Sequence, residues 1–185
     1  MDIMNGLQRF NAYFNSQVLL TDGAIFRDGV FAASFILPLQ HRLLLLSAHA
    51  IDVEDPVSSM VQAVRLACIL YLAEIRRSFG VMGVVSTLQS RKLKSFLEMS
   101  GEWEELGLLR TWCLAMGGME SQGPLRVWFV EELKKATDGL GMESWEEAEG
   151  QQREVLWFDD VHRPVFRELY TGEEKSGGGR RRRGY

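Results

Sequence analysis

The stretch from Asp55 to Gly80 leaves this chain little freedom in what it can become. Asp55 is an N-cap acceptor, and Pro56 follows at the first helical position, where its missing N–H costs nothing. Beyond them Val57, Met60, Val61, Val64, Cys68, Tyr71, Ile75 and Phe79 recur at the three-and-four spacing of one helix face, and Gly80 supplies a left-handed stop. β-Branched alternation with hairpin dipeptides is missing almost everywhere, and none of the four prolines sits in the middle of a long periodic segment. The expected fold is all-α, a multi-helix bundle or irregular helical array of about six to eight helices.

The other elements follow from the same periodicity. Residues 84–98 carry Leu88, Leu93, Phe96 and Leu97 among basic residues, an amphipathic pattern. Leu106, Leu108, Leu109, Trp112, Cys113, Leu114, Ala115 and Met116 make a segment that is apolar nearly all round, which marks a helix enclosed by others and expected to end at Gly117-Gly118. Pro124 opens the next helix, with Leu125, Trp128, Phe129, Leu133 and Ala136 inward, Glu131 and Lys135 placed to pair across an exposed turn, and Gly139 as its close. Ser144-Trp145-Glu146-Glu147 fits a capping box, in which Glu147 reaches back to the N-cap amide, and the helix it starts is expected to run to about Trp157. In the amino-terminal third, Phe10, Phe14, Val18 and Leu19 predict one helix and residues 31–47 another, broken or kinked at Pro38. Residues 1–171 read as a single helical domain. Residues 172–185, with Gly177-Gly178-Gly179, Arg180, Arg181, Arg182 and Arg183 and no apolar periodicity, read as a disordered Gly/Arg-rich tail.

Charge is uneven along the chain. The net value is −4, which gives the whole molecule no electrostatic attraction for nucleic acid or anionic lipid. Residues 65–94 nevertheless hold six bases and one acid, whereas residues 98–149 hold twelve acids and four bases. The two halves either face each other, present opposite poles, or are ordinary solvated helix faces. Only two cysteines are present, Cys68 and Cys113, both in apolar stretches, which suits reduced thiols in a core and a reducing compartment. The longest apolar run, residues 30–39, falls short of a bilayer span, and the amino terminus lacks the order of a signal peptide, so a soluble intracellular protein without membrane contact is expected.

Chemistry-bearing residues are sparse. His41 and His49 are eight residues apart, so on one helix they stand about 12 Å from each other and cannot share a metal ion. Asp159 and His162 lie one turn apart and read either as two ligands of a metal site or, more simply, as an exposed acid and imidazole near a helix end. Residues 118–123 come near G-x-S-x-G but carry one residue too many and follow no strand, so they read as a polar turn. Glycine-loop motifs for phosphate are missing. Glu102, Glu104 and Glu105 suit the first turn of a helix. All five tryptophans fall between Trp103 and Trp157, and on helices of matching apolar spacing they are expected in the core rather than around a ligand. No catalytic residue, cofactor site or metal site is therefore expected. Arg180–Arg183 suit a nuclear import signal, loose phosphate contact or a solubilising terminus.

The second half also carries a likeness. The succession 105–112 (ELGLLRTW), 116–120 (MGGME), 126–133 (RVWFVEEL), 144–147 (SWEE) and Leu156-Trp157, preceded by 41–44 (HRLL) and 64–72 (VRLACILYL), resembles the carboxy-terminal helical region of fungal zinc-cluster transcription factors over residues 40–170. The resemblance implies an α-helical regulatory domain acting in transcription regulation in the nucleus, through a protein partner, a homologous factor or a small-molecule effector. In that family such a domain follows a module that holds two zinc ions with six cysteines. With Cys68 and Cys113 alone this chain cannot build that cluster, so sequence-specific DNA reading by it is not expected. The alternative is a free-standing helical interaction or scaffold protein derived from that fold, in the nucleus or the cytoplasm, with no transcriptional role.

Overall fold

The computed structural model describes residues 2–46, 55–80, 86–101 and 103–172. Arg180–Arg183 and His49 lie outside the described residues. Among those residues the chain is helical and has no strand. In order the helices are α1 (Asp2–Thr21), α2 (Gly29–Phe31), α3 (Leu37–Leu45), α4 (Pro56–Ser78), α5 (Thr87–Met99), α6 (Gly107–Met119), α7 (Gly123–Gly139), α8 (Trp145–Arg153) and α9 (Asp159–Thr171). Single 3₁₀ turns precede α2 at Ala24–Arg27 and α6 at Glu104–Leu106.

α4 forms as its caps dictate. Asp55 accepts hydrogen bonds from the amides of Val57 at 3.1 Å and Ser58 at 2.9 Å, and Gly80 turns away at φ 70°. From Gln62 to Arg76 nearly every side chain is buried, because α3, α5, α6 and α9 pack around this helix. Its first turns depart from expectation. Val57 is 64% and Val61 59% exposed, since the covering helices leave that end open. By length and mean hydropathy α4 could cross a membrane, contrary to the expectation from apolar runs alone, but 67% of that window is buried inside the protein.

The amino-terminal third is tied down by phenylalanines. Phe14 is enclosed by Phe10, Phe26, Phe31, Phe79 and Phe158, the last with ring centroids 4.5 Å apart. Leu19 is left 84% exposed, so the inward stripe of α1 ends at Val18. Pro38 neither breaks the chain nor starts a separate helix. The backbone runs on from α2 to α3 through a widened π-turn at Ala32–Ile36, closed by the Leu37 amide donating to the Ala32 carbonyl, and Pro38 lies in the first turn of α3, where its missing N–H costs little.

Gly117 and Gly118 do not end α6, which continues through Met119. They lie inside it because neighbours come too close for a side chain: a Cβ at Gly117 would fall 2.2 Å from the Phe129 ring, and one at Gly118 would fall 2.9 Å from Leu169. On α7, Lys135 pairs with Glu132 at 2.8 Å rather than with Glu131, and Arg110 reaches the same carboxylate at 3.2 Å from α6. These hydrogen bonds, that of Lys135 foremost, hold the Glu132 carboxyl below its usual range.

The capping box of α8 forms with a shift. Ser144 Oγ accepts from the Glu147 amide at 3.2 Å, but the Glu147 carboxylate takes the amide of Glu143, one residue before the N-cap. α8 stops at Arg153, and Trp157 lies in the link to α9, a helix the periodicity did not announce. Trp103, Trp112 and Trp157 are core residues, with the Trp112 indole donating to the Leu156 carbonyl at 2.7 Å. Trp128 and Trp145 are only half-buried. Lys94 sits over the Trp128 ring, and Arg163 and Arg167 over that of Trp145. Arg126 meets neither indole but Glu168 of α9, at 3.6 Å.

Candidate functional site

His162 is not an exposed partner of Asp159. It is fully buried, stacked on Tyr71 at 4.9 Å, and its Nδ1 accepts from the Phe158 amide at 3.0 Å. Asp159 turns outward to the Trp157 indole at 3.0 Å and Arg153 at 2.8 Å. Burial holds the imidazole neutral and lowers its pKa to about 4, against smaller opposing effects of Glu74, the backbone of Phe158 and Tyr71, and Asp159. Among the described residues no three or more of His, Cys, Asp and Glu gather as a metal-binding set. His41 is exposed on α3. Residues 118–123 form the close of α6, a short link and the start of α7. There Ser121 is buried and donates to the Gly118 carbonyl at 3.3 Å, so its hydroxyl is occupied in the turn.

Among the described residues the basic and acidic stretches meet where Arg77 at the end of α4 reaches the buried Glu120 and where Lys94 lies 3.7 Å from Glu98. Beside them a cleft of about 730 Å³ is lined by Arg77, Arg91 and Lys94. It is open and polar. Arg77 is already shared between Glu74 and Glu120, and Lys94 between Glu98 and the Trp128 ring, so water and existing partners compete with any ligand there.

A second concavity, about 580 Å³, has the composition of a ligand pocket: mostly apolar walls with a few polar groups. One wall is the uncovered start of α4, with Val57, Met60, Val61 and Val64. The lining also includes Trp103 and Leu106 just before α6, Leu109 in its first turn, Leu43 of α3 with Leu46 just after it, and Met4 of α1. The polar or ionisable side chains of its lining are Gln62, Arg65 and Cys68, with the Trp103 indole N–H turned to Ser100 Oγ at 2.8 Å. Arg65 Nε donates to Gln62 Oε1 at 2.7 Å, and a second guanidinium nitrogen to the Leu43 carbonyl at 3.1 Å. Burial lowers the Arg65 pKa and pushes the Cys68 thiol up to about 12, so at neutral pH the groove presents a cation and an unreactive thiol. Cys113 is also a buried free thiol with its pKa raised by burial.

This groove escaped sequence reasoning because Val57, Met60 and Val61 continue the periodicity of the core face. The available signal was Arg65, a charge set one turn from Val61 in an otherwise apolar stretch. No family model, curated protein or solved structure matches this chain.

Proposed function

We propose that the chain is a non-enzymatic helical regulatory domain, similar to that of fungal zinc-cluster transcription factors, acting in transcription regulation through contacts with a protein or an effector. The observation that carries this reading is the groove at the start of α4. Its apolar walls suit binding, and its lining offers no nucleophile, since the Cys68 thiol stays protonated, and no general base. The placement is nuclear, with Arg180–Arg183 as the import signal.

Tethering the chain to a heterologous DNA-binding module next to a reporter gene tests the proposal. The expected result is a several-fold change in reporter output that Val61→Asp, which places a charge on the groove wall, largely abolishes. Val61 is 59% exposed, so that substitution should alter stability by no more than about 0.5 kcal/mol. A tethered chain that leaves the reporter unchanged refutes the regulatory role. The second reading, a free-standing interaction or scaffold protein, is favoured by the groove itself, whose apolar contacts need no DNA nearby, and it would then stand.

A further inference from the structure

Arg65 is 9% exposed, yet among the described residues it makes no ion pair. The buried carboxylates are treated differently. Glu149 lies 3.1 Å from Arg153 and 3.4 Å from Arg163, and Glu120 is held by Arg77. Arg76, the other buried guanidinium, meets the neutral Gln40 at 2.9 Å, but it lies about 16 Å further along α4. The partners of Arg65 are a carbonyl of α3 and an amide oxygen of its own helix, both uncharged. Withdrawing a cation from water against neutral acceptors alone is costly, and a carboxylate brought to it would gain charge-assisted, two-pronged hydrogen bonds at a guanidinium that is itself largely buried.

The groove around Arg65 supplies the rest of a ligand's needs. At about 580 Å³ it lies within the size range of small-molecule pockets, and Val57, Met60, Val61, Leu106 and Leu109 give it apolar walls. We propose that the groove binds a small amphipathic carboxylate, whose acid group pairs with Arg65 while its hydrocarbon body lies between the start of α4 and the start of α6. This deepens the effector part of the function proposed above and rests on that reading.

Decanoate, kept below its micelle concentration, and decanol, kept below its solubility limit, separate the two contributions, because they share an apolar chain and differ in the charge. Binding to the purified full chain is followed by calorimetry and by the change in tryptophan emission, to which Trp103 in the groove lining contributes. The wild-type chain should bind decanoate at least about tenfold more tightly than decanol. Arg65→Met should bring the two within about twofold of each other, because the charge is gone and the apolar walls remain. Val61→Asp, on the solvent-facing rim, should weaken decanoate several times more than decanol, and it keeps the test open should Arg65→Met fail to fold. Equal affinities in the wild-type chain, a preference that survives Arg65→Met, equal weakening by Val61→Asp, or no binding of either probe would overturn the assignment. Equal affinities would mark the groove instead as a seat for an apolar helix. A silent reporter beside an intact preference for decanoate would sink only the regulatory role, and an active reporter without that preference only the carboxylate site.

Discussion

Replacing Gly117 by alanine sets two known effects against each other. In a helix interior alanine is favoured over glycine by about 1 kcal/mol, because glycine gives up more backbone freedom on folding. At Gly117 the added methyl would meet Phe129 Cε1 at 2.2 Å, Cζ at 2.4 Å and Cδ1 at 2.8 Å, where ordinary contact begins at 3.4 Å. The ring must therefore retreat by more than an ångström. It has nowhere easy to go: Phe129 is fully buried, Trp128 stands edge-on to it at 4.9 Å, and its own Cβ already approaches the Gly118 position to 3.4 Å. Either the ring leaves its rotamer or α7 lifts from α6, and overpacking of that kind costs about 3 kcal/mol at the upper end of its usual range. The net expectation is a loss of about 2 kcal/mol, or a fall in Tm of about 4 to 8 °C for a chain of this length. Gly150→Ala is the control, because nothing lies within 4 Å of that position on α8 and the helix-propensity gain of about 1 kcal/mol should appear undiluted. Gly118→Ala should fall between them, as the methyl meets the flexible end of Leu169. Urea unfolding of the three variants measures the differences. Phe129→Leu introduced with Gly117→Ala should recover part of the loss, by about 1 kcal/mol of coupling. A Gly117→Ala chain as stable as the wild type, or strict additivity with Phe129→Leu, would refute the reasoning.

Two further outcomes rest on burial. The His162 pKa is lowered by burial from 6.5 to about 4, so the unfolded chain binds the extra proton first: the stability held by the neutral ring is complete above 6.5 and falls by about 3 kcal/mol as pH drops toward 4. Unfolding free energies of the wild type and His162→Phe across that window should differ in slope, and parallel curves would contradict a neutral buried imidazole. Trp112→Ala should cost about 3 to 5 kcal/mol, because it empties a fully buried site and strands the Leu156 carbonyl, whereas the half-buried Trp128→Ala should cost no more than about 2 kcal/mol. Equal losses in thermal unfolding would show that Trp128 is a core residue after all.

Local signals were dependable where the physics was local. The Asp55 cap, the Pro56 and Pro124 starts, the Gly80 stop and the Ser144 cap each depend on atoms a few residues apart, and each is found. Signals that depend on a distant partner misled. The Gly117-Gly118 pair has the composition of a helix end but serves a close crossing with Phe129 and Leu169, and Lys135 pairs with Glu132, a carboxylate it shares with Arg110 of α6, rather than with Glu131. His162 near Asp159 reads as a polar helix end, but its ring is held inward by Tyr71 of α4, by Trp157 and by the Phe158 amide. The groove was illegible for the same reason: Val57 and Val61 carry the spacing of a buried stripe, and nothing in that spacing tells whether another helix lies over them.

By itself, then, the order of residues determined that this chain is helical, where α4, α7 and α8 begin, and which residues form their apolar stripes, since hydrogen-bond partners and side-chain spacing within a helix are set over one or two turns. The tertiary structure alone decided which apolar faces are covered and which charges find a counter-charge. Those outcomes depend on how helices far apart in the chain cross one another, and at the start of α4 that crossing leaves an apolar groove with Arg65 in its lining.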